Sequence, residues 1–153
     1  MSTPLVEADL HLFVDGVKHY LQLISQTAPE VTSAFLGDDE VTGHEFNGSI
    51  TFSGGYSGSL LVSMARGMLR EILVLQHESM ISDEKLLDAV GEVANTLAGN
   101  ARKVFGNELE ISVPTTDKGI KGISGKPRKR PYIITFDWNG HKGLVCVDME
   151  RSD

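Results

Sequence analysis

Apolar residues recur at helical spacing along residues 82–106. At about 100° of rotation per residue they collect on one side of the segment, which predicts a stripe that faces a protein core. The stripe consists of Leu86, Val90, Val93, Leu97, Ala101 and Val104. Ser82 is a favourable residue before a first helical turn, and Gly106 followed by Asn107 is typical of a helix end. The pattern predicts one long amphipathic helix.

Two other segments also have helical periodicity. Apolar positions over residues 10–24 repeat at three- and four-residue steps. Thr3 and Pro4 are expected as the N-cap and the first residue of this helix, because proline is favoured there, and Pro29 is expected to end it. Residues 65–75 predict a further helix, shortly before the long one.

The remaining periodic segments indicate β structure. Residues 41–64 contain strand-like runs on both sides of a glycine-rich turn at 54–58. Because these glycines join two strands, a hairpin turn is favoured over a phosphate-binding loop, which leads into a helix. Residues 109–113 predict another strand, and residues 132–148 predict a hairpin closed by Asn139-Gly140. Strands grouped apart from helices predict an α+β fold (an α/β sandwich), with helices packed on a mostly antiparallel sheet.

Composition indicates an ordinary globular chain. Its 153 residues, 41% hydrophobic and 23% charged, are most simply one domain over residues 1–153. The net charge of −7 disfavours nucleic-acid binding, which requires positive charge against the phosphates. The N-terminal residues have no signal-peptide pattern, and no stretch approaches the roughly 20 apolar residues of a membrane span. The single cysteine, Cys146, lies in an apolar run, so we expect a buried, reduced thiol and a cytoplasmic protein.

Several polar clusters have simpler interpretations than a functional site. The acidic run at 37–40 lacks the alternating ligands of a calcium loop and predicts a turn. The histidines lack metal-ligand spacing, so no metal site is expected in this chain. Residues 117–130 predict a basic loop, for which a solvated surface is favoured over docking to an acidic partner. Its basic residues are Lys118, Lys121, Lys126, Arg128, Lys129 and Arg130.

The polar side of the long helix carries the strongest candidate site. It presents, at three- and four-residue steps, Asp88, Glu92, Asn95, Gly99 and Arg102. Any amphipathic helix has a polar face, so charge alone predicts only solvation. However, this face also contains Asn95 and two glycines, Gly91 and Gly99, which are poorer helix residues than those that solubility alone favours. Gly99 leaves room for another surface. A carboxamide donates and accepts hydrogen bonds, which suits it to hold a water, while a nearby carboxylate binds a cation.

This pattern resembles a known signature. Asp88-x-x-x-Glu92-x-x-Asn95, followed by Ala98-Gly99-Asn100-Ala101, resembles the motif of the CheC/CheX/FliY family of chemotaxis phosphatases. Residues 50–64 and 111–114 resemble the family's strands before and after the motif helix, and the resemblance covers roughly residues 4–150. The motif occurs once, which is more similar to CheX, with one site per chain, than to CheC, with two. The resemblance implies a CheC-like fold and, as in CheX-type members, a homodimer.

The resemblance also implies an activity and a partner. The activity is hydrolysis of the aspartyl phosphate on the receiver domain of a response regulator such as CheY. Asn95 would orient the attacking water, and Glu92 would pair with the receiver's active-site lysine. Asp88, Gly99 and Arg102 would belong to the docking surface. The chain would need no cofactor of its own, because the receiver brings the bound Mg²⁺.

Two other functions stay open. A module of the same fold could hold a phosphorylated receiver without catalysis, although a docking face alone has no need for the carboxamide of Asn95. The chain could also be an oligomeric signalling scaffold joined through exposed sheet edges. For a homodimer, the terminal hairpin is the expected contact.

Overall fold

The structure, a computed structural model, describes residues 2–36, 41–120, 122–123 and 131–152. The acidic run at 37–40 lies outside the described residues. So do five of the basic residues assigned to a loop, namely Lys121, Lys126, Arg128, Lys129 and Arg130.

Helices and strands are grouped along the chain much as the hydrophobic pattern predicts. The helices are α1 (Glu7–Ser25), α2 (Arg66–Leu75) and α3 (Asp83–Phe105). The strands are β1 (Ser2–Pro4), β2 (Glu30–Leu36), β3 (Val41–Thr42), β4 (Phe46–Gly54), β5 (Tyr56–Met64), β6 (Leu109–Ile111), β7 (Thr115–Lys118), β8 (Gly122–Ile123), β9 (Tyr132–Trp138) and β10 (His141–Ser152).

The helices pack against an antiparallel sheet. Its main path runs β2-β9-β10-β5-β4-β6, with β1 beside β10 and β7 beside β4, while β3 and β8 form a separate pair. Every described strand pair is antiparallel. Apolar side chains from all three helices and from the sheet form one core, which includes Phe13, Ile72 and Leu97. The predicted α+β fold, with helices on a mostly antiparallel sheet, is confirmed.

Both predicted hairpins are present. β4 and β5 pair around a turn at residues 54–55, and β9 and β10 pair around Asn139-Gly140. Asn139 and Gly140 have φ angles of 51° and 81°. A two-residue turn with positive φ at both positions matches the twist of the flanking strands, which is why Asn-Gly is favoured there.

The N-terminal segment differs from the prediction. Ser2–Pro4 pairs as β1 with residues 150–152 of β10. The first helix begins only at Glu7, with Val6 at the N-cap. Thr3 and Pro4 are therefore strand residues, because a long-range strand pairing overrides a local helix-start signal.

Besides β1, the strands β2, β7 and β8 were not anticipated; β8 lies within the predicted loop at 117–130. β2 lies at an edge of the sheet, and its side chains are half-buried or exposed, so its apolar alternation is weak. β7 pairs with β4 and includes Lys118, which the sequence places in a basic loop. A short polar strand beside a sheet edge has no hydrophobic pattern by which to predict it.

The terminal hairpin lies inside the sheet. β10 pairs with both β9 and β5, and β9 pairs with both β10 and β2. Along these paired residues the backbone of the hairpin is already hydrogen-bonded within the sheet, and a dimer contact at the hairpin stays a prediction.

Candidate functional site

Helix α3 presents one polar row to solvent. Asp88, Glu92, Asn95 and Arg102 are exposed, and Gly99 is partly exposed in line with them. Residues three or four apart on a helix are neighbours, with Cβ atoms about 5–6 Å apart, so Glu92 and Asn95 project together from adjacent turns. The structure therefore places all five predicted site residues on one accessible surface.

The opposite side of α3 is buried in the core. The buried residues include Leu86, Val90, Val93, Leu97 and Ala101, as the apolar stripe predicts. Val104, which the sequence also assigns to this apolar stripe, is instead 66% exposed. In the last turn of the helix the neighbouring Phe105 packs against Tyr56 instead, with ring centroids 5.3 Å apart.

The two glycines of α3 differ in their surroundings. A Cβ on Gly99 would have no atom within 4 Å, so this position leaves an open surface beside Asn95. Gly91 is buried, and a Cβ there would lie 3.0 Å from the Thr116 methyl carbon. The assignment of Gly91 to the polar face is therefore wrong: it is a packing residue, and the close contact comes from β7, the strand that the sequence did not predict.

The helix is held close to the sheet beneath it. A Cβ on Gly48 of β4 would lie 2.8 Å from the carbonyl oxygen of Val90, so glycine permits direct backbone contact. Buried contacts of this kind fix a helix along its length, because protein interiors are closely packed. The side chains of Glu92 and Asn95 therefore project from a rigid support.

A charged cluster holds the first turn of α3. The Asp83 carboxylate accepts hydrogen bonds from Arg66 and from Lys118, each at 2.7 Å, and Arg66 also pairs with Glu45 at 2.9 Å. Hydrogen bonding from Arg66, and then from Lys118, lowers the pKa of Asp83 from 3.8 to about 2. The Ser82 side chain caps the helix by accepting from the Lys85 backbone N–H at 3.3 Å.

A small cavity adjoins Glu92 where α1, α2 and α3 meet. Its volume is about 170 Å³, and Tyr20, Gln76, Asp88 and Glu92 are among the residues that line it. Burial raises the pKa of Tyr20 to about 12, the negative charge of Glu92 adds to this rise, and the nearby Gln76 side chain opposes it. Tyr20 and Gln76 are therefore the neighbours of Glu92 that sequence reasoning missed.

A sequence signal for Tyr20 is weak. Tyr20 lies three residues after Val17, at the border of the apolar side of α1. Periodicity places it there, but only the tertiary pairing of α1 with α3 brings it to Glu92.

The histidines and the cysteine belong to no metal-binding cluster within the described residues. Among the described residues, no group of three or more His, Cys, Asp or Glu side chains is arranged to hold a metal ion. His11 lies 3.5 Å from Asp15, and His141 lies 3.5 Å from Glu71. Cys146 is buried as predicted, and burial raises the pKa of its thiol to about 12. No described helix is long and apolar enough to cross a membrane.

Solved structures of low sequence identity share this fold. A CheC-like superfamily protein from Shewanella sp. PV-4 is 22% identical, with a TM-score of 0.81 over 95% of this chain and 99% of that chain. The chemotaxis protein CheX from Vibrio vulnificus is 19% identical, with a TM-score of 0.78 over 93% of this chain and 99% of that chain.

A third similar structure is a complex. It is the CheX-CheY-BeF3-Mg²⁺ complex from Borrelia burgdorferi, 19% identical, with a TM-score of 0.65 over 92% of this chain and 96% of that chain. A comparison with curated proteins gives no match. The model of the family described as chemotaxis phosphatase CheX matches residues 46–137, which is more than half of the chain and includes the whole of α3. This chain therefore belongs to the CheX family of chemotaxis phosphatases.

Proposed function

We propose that this protein hydrolyses the aspartyl phosphate of a CheY-like receiver domain, with Glu92 and Asn95 as the residues that carry the activity. The observation that supports this most is the joint exposure of these two side chains on a helix fixed in the core. Membership of the CheX family supports the class of reaction. The similar fold in the CheX-CheY-BeF3-Mg²⁺ complex supports a receiver as the partner.

Asn95 is proposed to orient the attacking water. Hydrolysis of an acyl phosphate requires a water in line with the breaking P–O bond, so positioning supplies much of the rate enhancement. The side-chain oxygen of Asn95 accepts a hydrogen bond from this water, and its NH₂ group donates one to an acceptor nearby. A carboxamide remains neutral, so its orientation on a rigid helix does not change with pH.

Glu92 is proposed to fix the receiver relative to Asn95. Its carboxylate, three residues earlier on the same face, pairs with the active-site lysine of the receiver. Asp88 and Arg102 contact the receiver on either side of this pair, and Gly99 allows its surface to approach closely. The Mg²⁺ of the reaction enters with the phosphorylated receiver, so this chain supplies no metal ligands.

The test is the decay of a phosphorylated receiver with Mg²⁺ and catalytic amounts of this protein. Asn95→Ala should keep the fold and the affinity for the receiver but lower the accelerated rate about 100-fold, because the group that orients the attacking water is removed. Asn107→Ala, at an exposed residue beyond the end of α3, is the matched control and should keep the rate.

The same assay separates catalysis from binding. A non-catalytic receiver-binding module would slow the hydrolysis of the acyl phosphate or leave its rate unchanged. Catalytic amounts of such a module would not accelerate the decay of the phosphorylated receiver. An unchanged rate for Asn95→Ala would rule out the role of this carboxamide.

A further inference from the structure

We propose that Val113 is an apolar contact for the receiver domain, and that a β-bulge at residues 112–114 holds its exposed side chain beside the turn of α3 that carries Asn95. This inference rests on the proposed function, because it extends the docking surface around Glu92 and Asn95. It adds to that surface a segment outside α3, at the junction of β6 and β7.

The strand register places an extra residue at this junction. Phe52 of β4 pairs with Ile111, and Ser49 of β4 pairs with Thr115. Two residues of β4 therefore lie opposite the three residues 112–114, which is the arrangement of a β-bulge. Bulges at a sheet edge redirect a side chain and are over-represented next to functional sites.

Hydrogen bonds fix the backbone of the bulge. The Ser112 N–H donates to the carbonyl oxygen of Thr51 at 3.0 Å, and the Thr51 N–H donates to the Ser112 hydroxyl at 2.9 Å. The same hydroxyl donates to the carbonyl oxygen of Val113 at 3.0 Å. The backbone of Val113 is therefore held in place, although its side chain is 81% exposed.

Contacts along α3 place the bulge beside the exposed row. Lys118 of β7 pairs with Asp83 at 2.7 Å, and a Cβ on Gly91 would lie 3.6 Å from the Cβ atom of Pro114. The four extended residues back to Pro114 cover about 13 Å, and the eight helical residues on to Gly91 cover about 12 Å. The two segments thus run antiparallel in step, so Val113 lies alongside the turn that follows Gly91.

That turn ends at Asn95, so Val113 adjoins the proposed docking surface. Exposure alone would carry no argument, because isolated apolar side chains are common on protein surfaces. Val113 differs in that its backbone is fixed before a partner arrives. A pre-ordered apolar group loses little conformational freedom on binding, so more of its burial contributes to affinity.

The test is the affinity for a CheY-like receiver activated with BeF3 and Mg²⁺. Val113→Ser should weaken binding about three- to tenfold, because a buried apolar contact is replaced by a small polar one. It should leave Tm unchanged, because the side chain is mostly in solvent in the free protein. Val74→Ser, at a 53% exposed valine of α2, is the matched control and should keep the affinity.

A double-mutant cycle tests the role of the bulge. Ser112→Ala removes the hydroxyl that ties the backbone of Val113 to β4, and should weaken binding about two- to threefold. In the Val113→Ser background the same change should have no further effect, because the bulge acts only through this side chain. Equal losses in both backgrounds would overturn the proposal.

Full affinity in Val113→Ser, or an equal loss in Val74→Ser, would also overturn it. A fall in Tm that accounts for the lost affinity would assign Val113 to the fold instead of the interface. Failure of the proposed function looks different. If the wild type binds the receiver without hydrolysing its phosphate, that function fails, while the comparison of the two valine variants still decides the contact. If the wild type does not bind the receiver, both fail.

Discussion

Gly99 lies on the exposed row of α3, where a Cβ would have no atom within 4 Å. Glycine inside a helix costs up to about 1 kcal/mol of stability relative to alanine. No contact within the described protein requires a glycine at position 99. Gly99→Ala should therefore raise the free energy of unfolding by about 0.5–1 kcal/mol. The same variant should raise KM for the phosphorylated receiver, because the added methyl group prevents close approach of its surface.

Urea denaturation and steady-state kinetics measure the two effects. Gly48→Ala serves as the opposing control, because its Cβ would lie 2.8 Å from the Val90 carbonyl oxygen. That substitution should lower the free energy of unfolding by about 1–3 kcal/mol through overpacking. If Gly99→Ala gains stability and keeps its KM, the docking surface does not extend to Gly99.

For individual residues, the sequence predicts which side chains form the exposed row on α3. It does not predict which residues of other elements lie beside that row. Glu92 and Asn95 could be placed on the solvent side of a helix because helical periodicity is local. Gly91 lies at the border between the two faces, and its burial depends on β7, which has no hydrophobic pattern. Tyr20 becomes a neighbour of Glu92 only through the pairing of α1 with α3.

Charged contacts of its first turn join helix α3 to neighbouring elements. Asp83 of α3 pairs with Arg66 of α2 and Lys118 of β7, which connects the three elements. Because the pKa of Asp83 is about 2 in the folded protein and 3.8 normally, these contacts stabilise the fold above pH 3.8. Their contribution should disappear as the pH falls from 3.8 toward about 2.

Thermal unfolding of the wild type and of Asp83→Asn across this pH range tests the contribution. The wild type should have the higher Tm at neutral pH, and the difference should close as Asp83 becomes protonated. Added salt should reduce the difference, because these side chains are partly exposed to solvent. A difference in Tm that does not shrink as the pH falls from 3.8 toward about 2 would mean that the charge of Asp83 is not its source.

Elements with strong internal signals could be predicted, and elements defined by their neighbours could not. α3 has a capping serine, acidic residues in its first turn and basic residues in its last turn, and its observed ends match the predicted ones. β1 is strand only because residues 150–152 lie beside it. β2 has an edge position and a weak apolar alternation, so periodicity within residues 30–36 does not mark it as a strand.

For the whole molecule, the expected homodimer remains a prediction, and the sheet limits how it forms. β2 lies at one end of the main path of the described sheet, and β6 lies at the other, with β7 also beside β4. Pairing between copies through the sheet therefore uses these strands and not the terminal hairpin. Light scattering should give twice the chain mass of 16.6 kDa. A mass of one chain at every concentration tested would contradict the dimer.

The position of β10 has a consequence for how the protein matures. This strand is the last one along the described chain, yet it lies between β9 and β5 and joins the two parts of the main sheet. Until it is inserted, both neighbours expose unpaired amides and carbonyls to other chains in the cell. A nascent or truncated polypeptide that lacks residues 141–152 therefore exposes two unpaired strand edges and is more prone to aggregation than one that includes them.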